Sequence, residues 1–142
     1  VISPVELESR YEVYGEQYVL AIEVEARVAL AMVRTQISPA VDKQISSLAR
    51  SLQQQHALGL QPDQRRLHQL SDLQRQMDEH SLALEGELDL LHHGDTAALM
   101  HQCAQVILPR LSQLREAVDG LEARVDDDRW PLPSYREMLF VR

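Results

Sequence analysis

The six histidines are the side chains here best suited to hold a metal. His56, His68, His80 and His92 recur every twelve residues. On a helix, twelve residues advance a position by about 120° around the axis and roughly 18 Å along it. Four side chains so placed cannot share one ion. A di-iron bundle needs Glu-x-x-His on two helices. The chain offers only Asp89-x-x-His92, once and with an aspartate. His92, His93 and His101 flank a loop at Gly94, and solvated histidines at helix ends are the simpler account of them. Carboxylates also pair, as Glu23/Glu25, Glu85/Glu87 and the run Asp126–Asp128. A catalytic pair needs a cleft and a perturbed environment, and residues two apart do not share a helix face. The aspartate run reads as a helix stop, because the C-terminal end of a helix disfavours anions. Nothing matches a phosphate-binding glycine loop, a dinucleotide loop, a nucleophile elbow or a zinc-finger spacing. The chain is therefore assigned no catalytic, cofactor-binding or metal residue of its own.

Bulk properties narrow the partners. At 142 residues and a formal net charge of −8, the chain is one domain long and poorly matched to nucleic acid or an anionic membrane. It has no basic-then-apolar leader and no apolar run near membrane-spanning length. Cys103 is the sole cysteine. Its apolar neighbours suggest a buried, inert thiol, in keeping with a reducing cytoplasm. The opening at Val1, without an initiating Met, suits a piece of a longer polypeptide.

The residues singled out instead are apolar and lie at the two ends. Tyr11, Tyr14 and Tyr18 fall at i, i+3 and i+7, on one helical face, which reads as a packing stripe. The tail holds the only Trp and the only Phe. Trp130-Pro131-Leu132-Pro133 must be extended, since alternating prolines exclude helix. Ser134 with Glu137 fits a capping box for a short final helix. Exposed Trp and Leu are costly, so the tail is expected to dock through Trp130, Leu132, Tyr135, Met138 and Phe140. Tyr11, Tyr14 and Tyr18 are its natural aromatic partners.

The elements that position these groups are helices. Few glycines and abundant Leu, Ala, Gln, Glu and Arg favour them. The expected fold is all-α, an elongated antiparallel bundle of three long helices at about 4–58, 62–92 and 95–126, with a docking tail over 127–142. The first opens near Pro4, with Glu6 and Glu8 in its first turn. Between Val19 and Val33 it is apolar nearly all round, apart from Glu23, Glu25 and Arg27. Such a helix is usually covered on more than one side. It is also over-long for its partners, and Tyr11 to Val33 is expected to project against something outside this chain. Pro39 should kink it near Gln36–Ser38. The second helix carries Leu70, Met77, Leu84 and Leu91 every seventh residue, and closes at Gly94. In the third, Met100, Ile107, Leu114 and Leu121 form one heptad series, and Ala104, Leu111, Val118 and Val125 another. Pro109 should bend it. The stretches around Pro39 and Pro109 look alike, so two matched kinks are expected if their helices are antiparallel neighbours.

WPLPSYREMLF resembles the C-terminal end of type III glutamine synthetases. VELESRYEVYGEQYVLAIEVEARVALAMVRTQISPAV is similar to the segment opening the helical C-terminal region of that family, and ILPRLSQLREAVDGLEARVDDDRWPLP to its closing helix. Residues 46–98 resemble it only as generic helix. Arg129 departs from the pattern, where an apolar residue would be expected before Trp130. The resemblance implies a single helical domain from the C-terminal part of a longer chain, structural or assembly-related and not catalytic. The parent would ligate ammonia to glutamate using ATP and Mg. Its partners would be the catalytic core of the same chain and identical neighbouring subunits in a homo-oligomeric ring, in the cytoplasm. A free-standing helical adaptor or coiled-coil protein is the alternative; it leaves WPLPSYREMLF unexplained. A small helical metal or redox enzyme rests on the histidine count alone.

Overall fold

The structure, a computed structural model, describes residues 1–91 and 94–133. All regular elements among them are helical. Ser3 starts α1 (Pro4–Met32) with a reciprocal capping box: the Glu6 amide donates to Ser3 Oγ at 3.1 Å, and the Ser3 amide donates to Glu6 Oε2 at 3.2 Å. A π-helical turn, Val33–Ile37, passes directly into α2 (Ser38–Ala57), so α1 and α2 form one rod. Gly59 ends it at φ 82°, a left-handed conformation suited to glycine. The helix α3 (Arg65–Asp89) opens three residues after Pro62. Asp63 sets that start by accepting the Arg65 amide at 2.9 Å. Beyond Gly94, at φ 144°, Asp95 caps α4 (Thr96–Gln102) by accepting the Ala98 amide at 2.8 Å. A second π-helical turn, Cys103–Ile107, leads into α5 (Leu108–Glu122). The described residues thus form three helical rods.

Pro39 and Pro109 each sit two residues after a π-helical turn. Proline cannot donate a backbone hydrogen bond, and its ring crowds the carbonyl four residues back. The wider turn relieves that crowding: the Ser38 amide donates to Val33 O, and the Leu108 amide to Cys103 O. Each is an i→i−5 bond, the mark of a π-bulge. The two turns do not meet side by side. Gly15 lies against Thr96 and Met100, Glu25 pairs with Arg115, and Gln44 with Asp126. Numbers rise together along the first and third rods, so these rods run the same way. The expected matched pair of kinks in opposed neighbours is therefore not formed.

Contacts with α3 run in opposite order. Arg34 pairs with Glu85 and Asp42 accepts from Gln74; Leu73 meets Gly120 and Arg66 pairs with Asp126. The core is a seam of leucines between these rods. Leu70, Met77, Leu84 and Leu91 are all at most 1% exposed, as are Ile107, Leu114 and Leu121. Ala104 is exposed and Cys103 is buried in its place. The π-helical turn shifts the phase there, and Cys103, Ile107 and Leu111 follow at four-residue steps, as do Val33, Ile37 and Val41 in the first rod.

Candidate docking surfaces

The end of α5 determines where the tail goes. Helix stops at Glu122, four residues before the aspartate run. Arg66 donates to the free Arg124 carbonyl at 3.2 Å and reaches Asp126 at 3.5 Å. Its cation offsets the negative end of the helix and the aspartates beyond it. The Arg129 and Trp130 amides both donate to Asp126 O, at 2.9 and 3.0 Å. This tight turn reverses the chain and returns Trp130 to the bundle, where it joins the core at 8% exposure.

Buried Gln44 holds the turn from the opposite rod. Its Oε1 accepts from the Asp126 amide at 3.3 Å and from Arg129 Nη1 at 3.4 Å. Arg129 also donates to Lys43 O and to Ser47 Oγ. These are long, individually weak bonds, but they converge on one guanidinium whose fork fits several acceptors. Arg129, where the resemblance leads to an apolar expectation, is thus the tail's polar anchor, which the sequence reading missed. Gln44 and Ser47 gave no signal either, lying more than eighty residues earlier. Leu132 packs half-buried on the core, in a groove with Val28, Met32, Val33, Leu114 and Val118. Tyr135, Met138 and Phe140 lie outside the described residues.

The other end of the molecule is bare. Residues 1–14 are all exposed. Val5, Leu7, Tyr11, Val13 and Tyr14 are each at least half exposed, Tyr14 at 73%. Gly15 is the first buried residue, and from it α1 packs through Val19, Ile22, Ala26 and Leu30. Projection therefore ends at Tyr14, and Gly15 to Val33 is covered on one face only. Along the uncovered face Leu20, Val24 and Val28 remain more than half exposed. Tyr18 is half-buried against the core, whereas Tyr11 and Tyr14 meet solvent. Trp130 does not reach the tyrosines. It sits near the level of α2, roughly 30 Å away at 1.5 Å per helical residue.

The groups with shifted pKa values are scattered among the described residues. Burial and the nearby Glu23 carboxylate push the Cys103 thiol up, so it stays protonated and inert. Hydrogen bonds from Arg65 draw Asp63 down to about 2, in an exposed pair at the start of α3. Burial and Asp42 raise Asp78. Among the described residues no group of three or more His, Cys, Asp or Glu is placed to hold a metal ion, and no helix is long and apolar enough to cross a membrane. His92 and His93 lie outside the described residues.

Residues 1–56, which make up the first rod, match the model of the family described as "Glutamine synthetase C-terminal domain". A protein named Type-3 glutamine synthetase from Dictyostelium discoideum is 31% identical over 156 aligned residues, covering 100% of this chain and 20% of the relative. A glutamine synthetase from Bacteroides fragilis is 45% identical over 38 residues, 27% of this chain and 5% of the relative. The chain spans at most about a fifth of the length of these curated relatives. No solved structure matches it significantly. The whole-length likeness covers the central helix as well as both ends, and with the match over residues 1–56 it makes this chain similar to the C-terminal domain family of glutamine synthetases.

Proposed function

We propose that this chain is the non-catalytic structural and assembly domain of a type III glutamine synthetase. The parent would ligate ammonia to glutamate with ATP and Mg bound elsewhere. On this reading an elongated antiparallel bundle with a Pro-rich docking tail braces the catalytic core of its own polypeptide and contacts identical subunits of a ring in the cytoplasm. The observation that carries the proposal is the bare end of α1. Five large apolar side chains within Val5–Tyr14 stand exposed on a helix that continues into a well-packed core. Leu7, Tyr11 and Tyr14 share one helical face; an exposed apolar face of this kind marks an interaction site, and the family match covers this very rod.

The test is the intact mass of the native polypeptide captured by an antibody to WPLPSYREMLF, with ligase activity assayed on the same material. A subunit far heavier than 16.2 kDa that makes glutamine supports the proposal. An inactive native subunit of 16.2 kDa would refute it in favour of a free-standing helical adaptor.

A further inference from the structure

Successive tail residues meet lower-numbered parts of the first rod. Arg129 touches Lys43, Gln44 and Ser47. Pro131 borders Thr35, Gln36, Pro39 and Ala40. Leu132 enters the groove between α1 and α5 beside Val28, Met32 and Val33. That groove has a volume of about 310 Å³ and a predominantly apolar lining. Val28 in its lining remains about half exposed. Leu20, Val24, Val28 and Met32 are spaced four apart, so they form one continuous ridge leading out of it. This face of α1 therefore offers an apolar track that starts where the described tail stops and ends at Leu20, beside Thr96 and Leu99.

Nine residues follow Pro133, and Tyr135, Met138, Leu139, Phe140 and Val141 are apolar. As a helix, nine residues span about 13 Å; extended, they reach about 30 Å. Val28 to Leu20 is about 12 Å along α1. Either conformation suffices.

We infer that residues 134–142 of this same chain fill the α1–α5 groove and lie along the Val28–Val24–Leu20 ridge, as an intramolecular strap. The inference rests on the reading of the tail as a docking element. It leaves Val5–Tyr14 for partners outside the chain. The turn at Asp126 and the Arg129 anchor fix the strap's direction, and Leu132 fixes its entry point. Covering the ridge would remove three more than half-exposed aliphatic side chains from water, which supplies the driving force.

The experiment places a benzophenone photoprobe at Phe140 in the full-length polypeptide that carries this sequence. Isotopically light and heavy subunits are co-assembled before irradiation, and the cross-linked peptides are mapped. The strap predicts cross-links to residues 20–32 or to α5, within light or within heavy polypeptides only. Mixed light–heavy cross-links would assign the tail to a neighbouring subunit and overturn the inference. Cross-links elsewhere, or none, would overturn it too. Hydrogen exchange provides a second readout independent of the bulky probe. Removing residues 134–142 should make amide exchange across 20–32 about tenfold faster, and unchanged exchange would contradict the strap. Ligase activity and native mass are recorded separately, so a strap found on an inactive polypeptide would sink the glutamine synthetase reading and not this one.

Discussion

The two ends of the first rod have similar apolar content and opposite fates. Around α2 the chain covers itself: Trp130 returns to the core, Gln44 is buried with its oxygen occupied, and Arg129 ties the turn to Lys43 and Ser47. Around Pro4–Tyr14 none of the described residues covers Val5, Leu7, Tyr11, Val13 or Tyr14. Hydrophobicity alone does not distinguish these ends. What separates them is the supply of packing partners, since α4 begins only at the level of Gly15. The covered end stabilises the domain, and on the proposed reading the bare end is surface for another body.

The sharpest way to break this contrast is to cut the covered end. Trp130→Ala should lower unfolding stability by about 3 kcal/mol, the scale of large-to-small changes in a packed core. Chemical denaturation would show it as a lowered midpoint. Deleting 130–142 should do at least as much; an unchanged melting temperature would mean the tail docks elsewhere. Next comes the boundary between the two ends. A Cβ at Gly15 would run into Thr96 Cγ2 and sit 2.7 Å from Met100 Sδ. Gly15→Ala should therefore cost about 1–3 kcal/mol through overpacking. Gly86, also helical but with open space around its Cβ position, is the control. Gly86→Ala should stabilise by about 0.5–1 kcal/mol. Gln44→Ala removes one acceptor shared by two donors and should cost about 1 kcal/mol.

At the bare end, Tyr14→Ser should change the stability of the chain by less than about 0.5 kcal/mol, although it removes a large aromatic group. The smallest effect is electrostatic. Asp78 has a raised pKa in the fold, so its ionisation opposes folding. That cost is absent well below the usual carboxylate range and complete once pH has risen through the raised pKa. Asp78→Asn should thus raise the unfolding midpoint slightly at pH 7 and leave it unchanged at pH 3, as two thermal melts would show.

Legibility in the sequence followed the range of the interactions involved. The seam residues Leu70, Met77, Leu84 and Leu91 were visible because a seven-residue repeat is local and the helix converts it directly into one face. The start near Pro4 was visible through residues of the first turn itself, although the Ser3 capping box there was not singled out. The π-helical turns were visible only as prolines inside helical patterns. Their form, and the resulting exchange of Ala104 for Cys103 in the core, depends on how the backbone relieves the ring. Arg129 was least legible, because its partners Lys43, Gln44 and Ser47 are brought to it by the fold. The over-long first helix was recognised, but its projecting part was drawn too far. Apolar residues opposite a buried face look the same in sequence whether a neighbour covers them or not.

The most direct test of the bare end as an assembly surface is sedimentation of the full-length polypeptide with Val5, Leu7 and Tyr14 all changed to serine. The subunits should keep their helical content while the assembly falls to smaller species. An assembly of unchanged size and concentration dependence would contradict the assignment of this surface.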